Sequence, residues 1–216
     1  MINTMKTTRK RFGLVLALAL LAQFALGGGA PRPAAAATTQ QLVLGGGCFW
    51  GVEAVFKALA GVTATMPGYS GGAASTAHYE DVSTGRTGHA ESVRITYDPA
   101  KISLQQLLDV YFLVAHDPTE LNRQGPDDGS QYRSVIFVAN ADQRDAAQAE
   151  IARLTAEHKF SAPIVTKLEP FKAFFPAEEY HRNYLATHLD SPYIIYNDLP
   201  KLAALKKTYP QLVAQK

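Results

Sequence analysis

The chain has 216 residues, 47% of them hydrophobic and 19% charged, with a single cysteine and a formal net charge of +2. This composition excludes wholesale disorder, collagen-like repeats and a disulfide-dense miniprotein, and one thiol excludes an internal disulfide or a multi-thiolate zinc site. The charge is unevenly spread: residues 1–37 hold Lys6, Arg9, Lys10, Arg11 and Arg32 and no acid, so the remainder carries −3 and gives nucleic acid no electrostatic footing.

The first segment has the pattern of a secretory signal. A basic stretch, TTRKRF, precedes an apolar run from Gly13 to Ala22, which breaks at Gln23 and resumes to Leu26. A small-residue tract, Pro33 to Thr39, follows, and an A-x-A cut ending at Ala37 fits, with cuts after Ala36 or Ala30 also open. The run is shorter than the ~20 residues of a spanning helix. Lys10 stands where a twin-arginine signal has its second arginine, so the export route is open. Residues 38–216 are then expected to form one periplasmic or secreted domain, free of the membrane after signal cleavage.

Along that domain, Gln41 to Leu44 reads as a strand running into Gly45-Gly46-Gly47. Val52, Val55, Phe56 and Leu59 fall at helical spacing within Phe49 to Ala60, and Gly61 closes the segment. Val62 to Tyr69 is extended, and Ser70 to Gly88 is a Gly/Ser/Thr-rich loop. A strand is expected at His89 to Tyr97, then a helix from Leu104 to about Ala115 capped by Ser103. A polar loop spans His116 to Gln131. Beyond it come a strand at Tyr132 to Ala139, an amphipathic helix from Ala141 to about His158 and a strand at Ile164 to Glu169. A short helix is expected at Ala177 to Leu189, and a basic one near Leu199 to Lys207. Strands and helices interleave without a regular βαβ rhythm, so the fold class is α+β.

Cys48 sits after three glycines and at a helix start. There the helix dipole and free backbone N–H groups favour thiolate, which is expected to lower its pKa. Phe49 and Trp50 follow directly and offer the walls of a small apolar pocket. In His89 to Tyr97 the alternation places Glu91 on the apolar face with Val93 and Ile95. A carboxyl buried there is disfavoured as an anion and keeps its proton near neutral pH, as a general acid must. Tyr79 and Tyr132 could each donate a hydrogen bond to a substrate oxygen, while Asp127 and Asp128 read as turn residues. The six histidines show no metal spacing, and no metal is expected.

These residues fall in motifs that resemble the A-type peptide methionine sulfoxide reductases: GCFWG at 47–51, GYSGG at 68–72, YEDVSTGRTGHAE at 79–91, HDPT at 116–119, DxGSQYRS at 127–134 and AExYH at 177–181. The resemblance implies a two-layer α+β sandwich with a mixed, ferredoxin-like central sheet flanked by helices. It implies that Cys48 attacks the sulfur of S-epimer methionine sulfoxide, free or in proteins, while Glu91 protonates the oxygen. Tyr79 and Tyr132 would bind that oxygen, Asp127 would support the site, and Phe49 and Trp50 would hold the substrate methyl group. The implied products are methionine and a cysteine sulfenic acid, a repair of oxidative damage. Many members resolve the sulfenic acid with a further cysteine near the C-terminus. The tail KLAALKKTYPQLVAQK has none, so an external thiol reductant such as thioredoxin or dithiothreitol is required. No other cofactor is implied, and a monomer is expected.

Overall fold

The computed structural model describes residues 38–215, and the leader expected within residues 1–37 lies outside the described residues. In chain order the elements are β1 (Gln40–Gly45), α1 (Phe49–Lys57), β2 (Val62–Ser70), α2 (Tyr79–Val82), β3 (Ala90–Tyr97), α3 (Leu104–Val110), β4 (Arg123–Gln124) and β5 (Asp127–Asp128). There follow β6 (Val135–Val138), α4 (Ala141–Ala156), β7 (Lys167–Pro170), β8 (Phe175–Pro176), α5 (Tyr184–Thr187) and α6 (Leu199–Thr208). One mixed, six-stranded sheet runs in the order β7-β6-β1-β3-β2-β8, with β4 and β5 forming a separate small hairpin. Only β6 and β7 pair in parallel. The β1–α1–β2 and β3–α3–β6 connections each carry a helix, so the fold is α+β with helices laid on a mixed sheet.

The pattern in β3 shows why this sheet forms. Val93, Ile95 and Tyr97 point into the main core with Leu42 and Leu44 of β1, beneath Val52, Val55 and Phe56 of α1 and Leu107 and Leu108 of α3. The other face buries Val43, Ala90, Val135 and Phe137 under Phe171 and Phe174. Helix α3 begins where Ser103 and Gln106 form a reciprocal capping box, the Ser103 Oγ accepting from the Gln106 amide at 3.2 Å. It continues through a wider π turn to Ala115, which is the end the periodicity sets.

Several segments depart from the expected elements: α2 lies within the expected Ser70 to Gly88 loop, the β4–β5 hairpin within the expected His116 to Gln131 loop, and three others differ in extent or kind. Strand β6 begins at Val135, because Ser130–Tyr132 is a 3-10 turn whose Tyr132 carbonyl accepts from the Gly47 amide at 3.2 Å. The strand expected at Ile164 to Glu169 is confined to β7, on the sheet edge. Ala177 to Leu189 is not one helix. A 3-10 turn covers Glu179–His181, Asn183 takes φ 56°, and α5 is a single turn. Tertiary bonds override the local pattern: the Asn183 amide donates to Glu53 Oε2 at 3.0 Å, and the Glu178 carboxylate accepts from Tyr69 and Tyr79.

Candidate active site

Strand β1 delivers the chain into a glycine turn that ends at Cys48, the N-cap of α1. Gly47 has φ 90°, and a Cβ there would also press into the Gln124 side chain, so only glycine fits the turn. Behind the turn, Tyr111 Oη donates to the Gly45 carbonyl at 2.7 Å. The His116 ring is held between the Tyr111 carbonyl at 2.9 Å and Ser134 Oγ at 2.6 Å. Burial pushes His116 down to about 4, so it is a neutral brace and not a base.

Glu91 lies where the alternation of β3 puts it, on the core face and only 2% exposed. Its Oε2 accepts the Phe49 amide at 3.0 Å, which leaves Oε1 to carry an acid proton. Burial lifts its pKa to about 8, with the Asp127 charge adding to the rise and the Phe49 amide opposing it. Glu91 therefore holds a proton at neutral pH, in the direction the sequence implied.

Cys48 departs from expectation. Its thiol is raised well above its ordinary value instead of lowered. Burial is the largest cause, and the carboxyls of Glu91, Asp198 and Asp127 add to it, outweighing the favourable Trp50 backbone amide. The helix N-terminus is present, but carboxyl groups share its positive end with the sulfur.

Tyr79, Tyr132 and Asp127 meet at the same place. Tyr79 and Tyr132 both feel the charges of Glu91, Asp127 and Cys48. Burial is the main cause that lifts Tyr79 to about 12 and Tyr132 further, so both phenols remain donors. The Tyr79 amide is pinned by Glu178 Oε1 at 2.9 Å. Asp127 is half-buried, and its Oδ2 accepts from Tyr193 Oη at 2.5 Å.

The two rings after Cys48 have different parts. Phe49 is 1% exposed and packs on Tyr69 and His181 in the core. Trp50 is partly exposed and stacks on Tyr184 with centroids 3.8 Å apart. Tyr193 stands edge-on to Trp50, and Trp50 Nε1 donates to His181 Nδ1 at 3.2 Å. Among the described residues no cluster of three His, Cys, Asp or Glu side chains could hold a metal ion.

Glu178, His181, Tyr184, Tyr193 and Asp198 were not singled out by their sequence positions. The AExYH motif pointed at the first two. Tyr184 sits in the segment expected to be a plain helix, Tyr193 and Asp198 in the stretch between the two expected tail helices, and only long-range packing reveals them.

The family model for peptide methionine sulfoxide reductase matches residues 40–212. The chain is 53% identical over 182 residues to peptide methionine sulfoxide reductase MsrA 2 of Mesorhizobium japonicum, covering 84% of this chain and 93% of that protein. It is 46% identical to MsrA 2 of a Synechocystis strain, over 83% of this chain and 84% of the relative. The crystal structure of reduced Mxr1 from Saccharomyces cerevisiae shares its fold at TM-score 0.63 and 36% identity, over 71% of this chain and 87% of that one. Methionine sulfoxide reductase A of Corynebacterium diphtheriae aligns at TM-score 0.61 and 33% identity, over 70% and 76%. A match running from the first strand to the last turn, carried by relatives at about half identity, leaves one conclusion: the chain belongs to the peptide methionine sulfoxide reductase family.

Proposed function

We propose that the chain reduces the S epimer of methionine sulfoxide, free or in oxidised proteins and peptides, through a Cys48 sulfenic acid. The observation that carries this reading is the hydrogen bond from the Phe49 amide to buried Glu91, which sets a protonated carboxyl beside the residue following the only thiol. A sulfoxide oxygen leaves poorly until protonated. Glu91 gives its Oε1 proton to that oxygen while Tyr79 and Tyr132 donate to it, and the Cys48 sulfur attacks the substrate sulfur. The S–O bond of the substrate breaks, the oxygen passes to Cys48, and the thiol proton replaces the one Glu91 gave. The net change is thiol plus sulfoxide to sulfenic acid plus sulfide, a two-electron transfer. Trp50, held by Tyr184 and His181, borders the methyl group, and Asp127 is oriented by Tyr193.

Two external thiols then return Cys48 to the thiol, releasing water and a disulfide, since Cys48 is the only cysteine. A thioredoxin-like protein or a small thiol supplies them. The leader composition supports removal of residues 1–37 as a signal peptide and a single mature domain, 38–216, in the periplasm or secreted. The strand order β6-β1-β3-β2 with two helical crossovers supports a ferredoxin-like centre in a two-layer sandwich.

The test is turnover of an S-sulfoxide peptide with dithiothreitol, glutathione or thioredoxin as reductant. Wild type is expected to form methionine, and Cys48→Ser to form none. Turnover by Cys48→Ser would overturn the reading.

A further inference from the structure

Asp198 is a carboxyl for which the reaction just described has no use. It is 0% exposed and ends the turn that leads into α6. Its Oδ1 pairs with Lys201 Nζ at 3.2 Å, and its Oδ2 is buried with no hydrogen-bond partner among the described residues. A buried carboxylate oxygen left unpaired costs more than an ordinary lost hydrogen bond, so its retention calls for a physical role. Its position supplies one. The carboxyl lies against Gly51 in the first turn of α1, so close that a Cβ at residue 51 would collide with Asp198 Oδ1. Cys48 is the N-cap of that same turn.

The positive end of a helix favours anions within its first turn. One carboxylate competes there with the sulfur: Asp198, packed on Gly51, while Glu91, protonated at neutral pH, takes up the Phe49 amide of the same turn. The other groups facing Cys48 are Asp127 from β5, the phenols Tyr79, Tyr132 and Tyr193, and the Trp50 amide. Burial raises the pKa of Asp198 itself, the charge and hydrogen bond of Lys201 oppose that rise and favour the anion, and Asp127 and Tyr193 also face it.

We propose that Asp198, braced by Lys201, is a positioning residue whose negative charge on the first turn of α1 keeps Cys48 from reacting with oxidants other than a bound sulfoxide. The inference rests on Cys48 being the reacting thiol. The thiolate, not the thiol, is the form that hydrogen peroxide attacks, giving sulfenic acid and water. A second peroxide gives sulfinic acid, which is irreversible for this enzyme. With one cysteine, no neighbouring thiol traps the sulfenic acid first. Holding the sulfur in its neutral form until Glu91 and the phenols engage a sulfoxide makes the substrate the trigger. The burial of Cys48 and the charge of Asp198 act in the same direction.

The test compares the full chain with Asp198→Asn, and with Asp198→Ser in case the amide does not fold. Cys48 is the sole thiol, so iodoacetamide labelling against pH reports it without background. Removing the charge is expected to move the labelling profile about one pH unit down, a roughly tenfold faster labelling at pH 7. Inactivation by hydrogen peroxide at pH 7 should quicken by a similar factor relative to sulfoxide turnover. A folded variant whose labelling profile overlays wild type would overturn the proposal, because a purely packing role for Asp198 leaves the profile unmoved. Labelling needs no turnover, so a wild type without reductase activity would sink the proposed function and leave this comparison readable.

Discussion

Phe49 and Glu91 are 42 positions apart in sequence, and the Phe49 amide reaches Glu91 Oε2 at 3.0 Å. The bond fixes which carboxyl oxygen is free to give up a proton, and it locks the acid to the first turn of the helix that begins at Cys48. Replacing Glu91 with glutamine keeps a carbonyl for the Phe49 amide but removes the acidic proton. The expected result is a folded protein whose kcat falls by about 10²–10⁴. Single-turnover kinetics under saturating S-sulfoxide would check it, and a variant with near-wild-type rate would remove Glu91 from the acid role.

The same carboxyl gives stability a pH dependence. Glu91 has a folded pKa of about 8 against an ordinary 4.5, so between those values the folded chain keeps a proton that the unfolded chain has lost. Stability from this group is full below about 4.5 and declines as pH rises through 8. Urea unfolding at pH 6 and pH 9 should show wild type losing stability over that interval more steeply than Glu91→Gln.

His116 acts with the opposite sign. Its pKa falls from 6.5 to about 4 through burial, so between those values the unfolded chain binds a proton that the folded chain refuses. The stability from keeping it neutral is present above 6.5 and is lost as pH falls toward 4. Thermal melts from pH 7 to pH 4 should show a loss that His116→Gln reduces, though the variant starts lower for want of the Ser134 and Tyr111 bonds.

Glu178 ties three elements of the site together: Oε2 accepts from Tyr69 Oη at 2.7 Å, Oε1 from the Tyr79 amide at 2.9 Å, and its own turn leads to His181. Glu178→Ala leaves Tyr79 unanchored and is expected to raise KM and lower kcat/KM by about 10-fold or more, the scale of one charged hydrogen bond. Glu178→Gln preserves one acceptor oxygen and should recover part of the loss. Steady-state kinetics of the pair would separate anchoring from a general loss of fold.

Gly47→Ala tests the turn before the nucleophile. A side chain at φ 90° is strained, and its Cβ would push Gln124 off the two hydrogen bonds it makes to Asp117. A loss of about 1–3 kcal/mol in unfolding free energy is expected, with turnover reduced alongside.

What the sequence made legible was what depends on neighbours in the chain. The alternation of His89 to Tyr97 placed Glu91 on the buried face because a strand has only two faces, and Ser103 capped α3 because the capping bonds are local. The tail from Ala177 to Leu189 misled because its helical spacing is real but loses to bonds with distant partners. Asn183 is drawn to Glu53 and Tyr184 to Trp50, contacts that span 130 and 134 positions. Cys48 misled for the same reason. A helix start nearby argues for thiolate, while burial argues most strongly against it, with Glu91 and then Asp198, 150 positions away, adding to it, and only the fold buries the sulfur and brings those groups to one turn.

Trp50 is the sole tryptophan of the chain, and it lies face to face with Tyr184 beside the pocket. Excited at the red edge, where the ten tyrosines do not absorb, its emission is therefore a built-in optical probe of one location. Any quenching or spectral shift on adding a sulfoxide reads a single location, so occupancy and chemistry can be timed separately in a stopped-flow instrument without attaching a dye.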